Sequence, residues 1–345
     1  MGLFGAGRTT VGLDIGSGFV KLAEVGHGGD RPELRQVAAV PTPAGAIVDG
    51  EITNPGLVAD AVRQLVEEAG LGMRDVVAAL GGHHVFIKRL RLPRSKAREA
   101  RDAVRREAER HVPFDIAGVQ LDFQMLDPRG DGPHMEVLLV AAKRRRVEER
   151  ITLLQDAGIG SVLLDVEALA LCNAFAHNYP STSQGLVAVV DCGHETTGIN
   201  VLQDGIPIAA NDHHFGLGQL TESMVGDRAL PAEHAKDVAE GRLEPSLPNP
   251  VLEEAAGQIA SGLERAGAML RTRFPGIGMG RVYLGGGGAC VPELAATVGR
   301  RIKVETRVAH PFEKVAVRTD PAAQALLARS APLFLLTVGL ALRTG

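Results

Sequence analysis

Residues 11–21 read Val11-Gly12-Leu13-Asp14-Ile15-Gly16-Ser17-Gly18-Phe19-Val20-Lys21, and residues 187–198 read Val187-Ala188-Val189-Val190-Asp191-Cys192-Gly193-His194-Glu195-Thr196-Thr197-Gly198. Each is an apolar strand that ends in Asp-x-Gly, passes a short turn and enters a second apolar strand. The two aspartates stand about half the chain apart. A glycine lets backbone N–H groups approach phosphate oxygens with no Cβ in the way. Ser17, Thr196 and Thr197 offer hydroxyl donors, and Lys21 offers a positive charge. An aspartate at each strand end can hold water on Mg²⁺, which keeps several waters and takes few protein ligands. Alone, either motif reads as a β-hairpin with a glycine turn. Together, and with a third glycine turn at Leu284-Gly285-Gly286-Gly287-Gly288, they point to a polyphosphate and a metal held between two similar halves.

Composition sets the frame for these motifs. The chain has 345 residues, of which 45% are hydrophobic and 23% charged. That suits two domains, or one bilobed unit, with sizeable cores. The net charge of −4 gives no basic field to draw nucleic acid or anionic lipid. With 10 Phe, 2 Tyr and no Trp, a base-stacking platform or a carbohydrate groove is not expected. Cys172, Cys192 and Cys290 match no zinc spacing. Cys172 and Cys192 lie in apolar runs and read as small core residues of a protein in a reducing cytoplasm. No apolar run is read as approaching the roughly 18 residues of a membrane span. The start is too short for a signal peptide, and Ala6 stands where a myristoylation signal wants Ser or Thr. The expected location is cytoplasmic, with any membrane association made through a partner and no direct span.

Periodicity predicts strands at 10–15, 19–25 and 34–40, then a helix opened by Asn54-Pro55 and stopped by Gly70, then a buried strand at 76–80. Three strands, a helix and a parallel strand make half of a ribonuclease-H-like unit. Strands at 85–92, 119–126 and 135–142 with a charged helix at 95–111 and another at 143–157 read as a small α/β insertion. The second half repeats the first with strands at 186–192, 197–203 and 206–211. A helix from about Gly218, a loop at 241–250, a helix at 252–274, a strand at 282–284, a helix at 292–300 and a last apolar helix at 333–342 complete the reading.

The segment Asp14-x-Gly-Ser-Gly-x-Val-Lys21 resembles the first phosphate loop of the actin superfamily. Asp191-x-Gly-x-x-Thr-Thr-Gly198 is similar to the second, and Leu284-Gly-Gly-Gly-Gly288 to the adenosine loop. Glu233-x-x-Lys236 resembles the pair that flanks adenine and ribose. Asp165, at a strand end that opens a helix, matches the segment carrying a water-positioning residue, with Glu167 as its rival. Within the superfamily the chain resembles the PilM family of type IV pilus assembly. The segments that carry this are Gly12-Leu-Asp-Ile-Gly-Ser17, Ala108-Glu-Arg-His-Val-Pro-Phe-Asp115, Val119-Gln-Leu-Asp-Phe123, Val137-Leu-Leu-Val-Ala-Ala-Lys143 and Asp165-Val-Glu-Ala-Leu169.

The resemblance implies an α/β, bilobed actin-like fold built from two ribonuclease-H-like domains. The first lobe would span 8–84 and 158–184 around an inserted subdomain at 85–157. The second lobe would span 185–330, with a small subdomain at about 216–275, and the segment 331–345 would return to the first. It implies ATP or ADP with Mg²⁺, bound by Asp14, Gly16, Ser17, Gly18, Phe19, Lys21, Asp191, Gly193, Thr196, Thr197, Glu233, Lys236, Gly285, Gly286 and Gly287. Asp14 and Asp191 would reach the metal through water. It also implies a PilN-like single-span membrane protein, whose cytoplasmic N-terminal segment binds the chain, and other pilus assembly proteins. Leu121, Phe123 and Phe114 are candidate pocket residues for that segment.

The chain departs from the family pattern at Asn211-Asp-His-His-Phe-Gly-Leu217-Gly218-Gln-Leu-Thr221. An arginine is missing, and Leu217 stands where glycine is expected. The expectation is therefore an ATP-binding scaffold with at most slow hydrolysis. An actin-superfamily small-molecule kinase would want a catalytic Asp facing a substrate pocket, and no signature of one is read. An FtsA-like division protein would carry an amphipathic membrane-binding tail, and none is read. His83-His84 and His213-His214 are read as surface or loop pairs, because adjacent strand residues point to opposite faces. Lys143-Arg144-Arg145-Arg146 is read as a solvated helix start.

Overall fold

Strand β1 is buried along nearly its whole length, and the first sheet grows outward from it on both sides. The computed structural model describes residues 9–71, 76–182, 185–218, 249–273, 276 and 278–343. The first half holds β1 (Thr9–Ile15), β2 (Phe19–Gly26), β3 (Glu33–Pro41), β4 (Ile47–Val48), β5 (Glu51–Ile52), α1 (Pro55–Glu68), β6 (Val76–Leu80), β7 (Val85–Pro93), α2 (Ala97–His111), β8 (Val119–Met125), β9 (His134–Lys143), α3 (Arg144–Asp156), β10 (Val162–Val166) and α4 (Glu167–Asn178). The second half holds β11 (Leu186–Cys192), β12 (Thr197–Gln203), β13 (Ile206–His213), α5 (Asn249–Arg273), β14 (Arg281–Gly285), α6 (Leu294–Ile302), β15 (Glu305–Val308), β16 (Ala316–Val317), α7 (Pro321–Ser330) and α8 (Leu335–Ala341).

The two large sheets repeat one another. The first runs β10-β6-β1-β2-β3-β16 and the second β13-β12-β11-β14-β15. In the first, β1, β2 and β3 form an antiparallel meander, and β6 and β10 join in parallel. In the second, β11, β12 and β13 form the meander, and β14 and β15 join in parallel. Parallel neighbours require crossover connections, and α1 supplies one between β3 and β6. Asn54 caps α1 by accepting from the Leu57 backbone N–H at 3.2 Å, and Gly70 follows the helix at φ +64°. Its apolar stripe of Val58, Ala61, Val62, Leu65 and Val66 packs on the first sheet.

The 85–157 segment divides differently from the sequence reading. Strands β7, β9 and β8 form their own three-stranded sheet, in that order. Ala100, Val104 and Ala108 of α2 close over it, with Leu90, Val119, Met135, Val137 and Leu139. Helix α3 bridges the two: Arg144 at its start donates to the Val119 carbonyl of β8 at 3.2 Å, while Leu153, Leu154 and Ala157 at its other end belong to the core of the first sheet, with Val62 and Leu65.

The return to the first lobe also begins earlier than residue 331. Phe312, Val315, Ala323 and Leu327 already pack with Ala23, Val25 and Leu34, and β16 pairs in parallel with β3. Helix α7 was missed, although Asp320-Pro321 signals its start. The Asp320 side chain accepts from the Ala323 N–H at 2.8 Å, with proline in the first turn. The stretch Pro321–Ala341 has a mean hydropathy of 1.4, which by length and composition would suit a membrane span. No such stretch was read from the sequence. Its most apolar window is 67% buried in the protein, among residues of the first sheet, so it is a core element.

Candidate functional site

The two Asp-x-Gly motifs fold alike. Gly16 N–H donates to the Phe19 carbonyl at 3.1 Å, and Gly193 N–H to the Thr196 carbonyl at 2.9 Å. Both turns face one cleft of about 860 Å³ between the sheets, lined also by Phe19, Lys21, Gly286 and Gly287. The turns meet across it: a Cβ on Gly18 would lie 2.8 Å from the His194 Cβ, so glycine permits the approach. A Cβ on Gly286 would lie 2.7 Å from the Cys192 carbonyl and collide with the Asp191 carboxylate. These are places where a bound group can come close to backbone.

The floor of the cleft is rich in carboxylates. In β1 and β2, Asp14 stands directly opposite Lys21, and they pair at 2.7 Å. In the second sheet Asp191 stands opposite Gly198, so it has no cross-strand cation. Burial raises Asp191 to about 6, with Lys21 opposing and Asp14 and Asp212 adding to the rise. Glu167, at the start of α4, is raised to about 8 by burial first, then by Asp14 and Asp212. Desolvation likewise raises Asp212, an exposed residue near the end of β13 that lines the cleft, against the Gly82 backbone and the nearby histidines. Burial pulls Lys21 down, but Asp14 and Asp191 outweigh it and leave its pKa raised. Burial lowers Arg150, with Glu167 and Asp14 opposing. Four acids thus face two cations, an imbalance that a divalent cation relieves.

The Glu167 value carries a stability test. Its carboxyl holds a proton in the folded state to about pH 8, against an ordinary value of 4.5. Between those limits the folded state binds more protons than the unfolded chain, so stability falls as pH rises. The metal-free, nucleotide-free protein should melt lower at pH 8 than at pH 5.5, and Glu167→Gln should flatten that slope. Parallel profiles for variant and parent would refute the assignment.

Several sequence candidates fall elsewhere. Asp165 does not line the cleft. It is 4% exposed and is held by Arg343 at 2.6 Å and by its own neighbour, the Val166 N–H, at 2.7 Å. Two residues further on, the chain has turned into α4 and Glu167 is the acid that reaches the cleft. Thr197 is buried, and its hydroxyl donates to the Phe215 carbonyl at 2.8 Å, so Thr196 alone of the pair lines the cleft. Gly285 faces α8, where a Cβ would meet Leu335 Cδ2 at 2.5 Å. Glu233 and Lys236 lie outside the described residues. Leu217 is 4% exposed and packs in the second-lobe core, which is why a large apolar residue fits where glycine was expected.

Other cleft residues were missed. Gly81-Gly82 stands at the exit of β6 as Gly285-Gly286 stands at the exit of β14, and Leu80-Gly81-Gly82 repeats Leu284-Gly285-Gly286. That repeat was a legible signal. Gly81 admits the Glu167 carboxylate, which a Cβ there would strike. Arg150, Asp212 and Glu51 carried no motif.

Two matched sheets that face one another across a carboxylate-lined cleft define an actin-like protein. The chain belongs to the type IV pilus assembly protein PilM family, whose model matches residues 12–345. It is similar to the PilM chain of a solved PilM–PilN type IV pilus biogenesis complex, with 29% identity, a TM-score of 0.80, and 97% of this chain and 98% of that one covered. The fold is shared more distantly with the ethanolamine utilization protein EutJ from Carboxydothermus hydrogenoformans, at 19% identity and TM-score 0.54 over 97% of this chain and 89% of that one. It is shared as well with MreB 5 of Spiroplasma citri bound to AMPPNP, at 11% identity and TM-score 0.50 over 96% and 94%.

Proposed function

We propose that this chain is an ATP-binding scaffold of type IV pilus assembly that holds Mg²⁺-nucleotide between its lobes and docks the N-terminal segment of a PilN-like membrane protein. The observation that carries the nucleotide half is the pair of matched turns over four carboxylates. The residues fit such a ligand. Gly16, Ser17, Gly18, Gly193 and Thr196 offer backbone and hydroxyl donors to phosphate, and Lys21 a cation. Asp14 and Asp191 hold water on the metal, with Glu167 and Asp212 nearby. Gly286 and Gly287 leave room for the nucleoside. Nucleotide acts as a conformational ligand by binding two lobe arrangements unequally. Hydrolysis is at most slow, because no arginine stands in the 211–218 segment to meet the phosphates. ATP should bind in the presence of Mg²⁺, with turnover well below ~1 per second. Failure to bind would refute the reading.

The partner half rests on the family and on the insertion. Strand β8 is an edge of its sheet and pairs with β9 alone among the described residues. Its Gln120, Asp122 and Gln124 are exposed, while Leu121, Phe123 and Met125 are half-buried. Lys143 Nζ lies 5.0 Å from the Phe114 ring centroid. An extended segment can add to such an edge and set side chains against the half-buried row. Deleting 85–157 would remove α3 from the first-lobe core, so point variants are the proper test. Leu121→Ala and Phe123→Ala should weaken binding of the partner's N-terminal peptide about tenfold or more, roughly 1.4 kcal/mol. Unchanged affinity in both would place docking elsewhere without touching the nucleotide half.

A further inference from the structure

Outside the carboxylate floor, one cluster of metal-ligating side chains stands at the rim of the cleft among the described residues. Residues 82–84 form a 3₁₀ turn after β6, with Gly82 at φ +71°. The alternation of a strand therefore does not apply, and His83 and His84 point the same way, with ring centroids 3.8 Å apart. Both Nε2 atoms face Oε1 of Glu51, at 3.5 Å from His83 and 2.6 Å from His84. Arg146 of α3 takes the other carboxylate oxygen, Oε2. The three candidate ligand atoms all lie within 4.8 Å of one another.

We propose that Glu51, His83 and His84 bind a divalent transition-metal ion, with zinc favoured by the donor set, at a site separate from the nucleotide floor. Two imidazole nitrogens and one carboxylate oxygen form a three-ligand set that leaves a coordination position open. With ligand bonds of about 2.0–2.2 Å, neighbouring tetrahedral donors stand roughly 3.3–3.5 Å apart. The His83 contact already has that span, and the His84 contact must open from a hydrogen bond by less than 1 Å. Ligation takes a neutral imidazole from each histidine and an ionised carboxylate from Glu51. Arg146 opposes the ion by its charge but fixes the carboxylate so that Oε1 faces the two rings, as an outer partner orients a ligand. The bound ion ties the β4–β5 hairpin to the exit of β6. At the same rim Gly50 N–H reaches Glu195 of the second lobe at 3.4 Å.

Without a metal, the same three residues with Arg146 make a polar clasp, and the experiment separates the two. Co²⁺ is titrated into the full chain with excess Mg²⁺ present to fill the carboxylate floor. The expected result is strong visible d–d absorption from a four- or five-coordinate ion, with no thiolate charge-transfer band. His83→Ala, which alters a ring 58% exposed, should lose that absorption and bind Co²⁺ at least tenfold more weakly. Glu51→Gln should do the same, and zinc should raise the melting temperature of the parent but of neither variant. Weak octahedral absorption in the parent, or an intense band that survives His83→Ala, would overturn the proposal. The Mg²⁺-nucleotide reading stands or falls separately on binding measured in metal-chelated buffer with Mg²⁺ restored.

Discussion

Asp14→Ala and Asp191→Ala should each abolish Mg²⁺-dependent ATP binding, with affinity lost by a hundredfold or more, about 2.7 kcal/mol or above. Mg²⁺ takes few protein ligands, so the loss of either carboxylate leaves the ion with half its anchorage in the cleft. The two variants should differ in stability. Asp14 pairs with Lys21 at 2.7 Å, and its removal strands a largely buried ammonium, a change that costs about 3–5 kcal/mol in buried pairs. Asp191 has no cross-strand cation and is raised to about 6 by burial and its acidic neighbours. Its removal should leave the ligand-free protein as stable as the parent, or more so. Calorimetry with and without Mg²⁺, paired with thermal melts, separates these effects. If both variants bind Mg²⁺-ATP as the parent does, the site assignment is wrong.

Gly12→Ala and Gly339→Ala should be the most damaging single-methyl changes in the first lobe. A Cβ on Gly12 of β1 would collide with the Thr337 carbonyl and lie 2.8 Å from the Ala341 nitrogen. A Cβ on Gly339 would collide with the Ala170 carbonyl and lie 2.6 Å from its carbon. Helix α8 is thus wedged between β1 and α4, backbone against backbone. A flexible side chain would yield at such a place, but a sheet and a helix move only as units. Overpacking commonly costs about 1–3 kcal/mol, and with no side chain to give way we expect the upper end or more. That predicts a fall in melting temperature of roughly 10 °C, or failure to fold. A melt within 2–3 °C of the parent for either variant would show that α8 can shift. Because α8 underlies β1, whose end carries Asp14, a shifted helix should also weaken nucleotide binding.

Most of the architecture was legible because one arrangement of strands appears twice. Strands β1 and β11 each carry an apolar run, Val11–Leu13 and Leu186–Val190, that leads into Asp-x-Gly, and each is followed at short range by its antiparallel partner. Such pairings are local, so hydrophobic runs and turn glycines announce them. The helix at 55–68 was legible from its cap, its stripe and its stop. Short strands such as β15 and β16 were not, because a few residues carry no period of their own and join the sheet through contacts distant in sequence.

The site was legible only where chemistry sits on those motifs. Asp14, Lys21, Asp191, Gly193 and Thr196 come to the cleft because the strand ends carry them there. Asp165 and Glu167 are two positions apart at a strand-to-helix junction, and sequence cannot say which of them the turn aims at the cleft. Arg343, from the far end of the chain, occupies Asp165, and Gly81 makes room for Glu167. His83 and His84 illustrate the same limit. Their spacing argues for opposite faces only in a strand, and the 3₁₀ turn at 82–84 removes that premise. The sequence alone thus determined the two repeats, their turns and the acids at their ends, since these depend on neighbours close along the chain. The tertiary structure decided which acid faces the cleft, where α3 and the 312–343 segment pack, and that Glu51 meets His83, His84 and Arg146. Those outcomes depend on the packing of segments far apart in sequence, which no local pattern encodes.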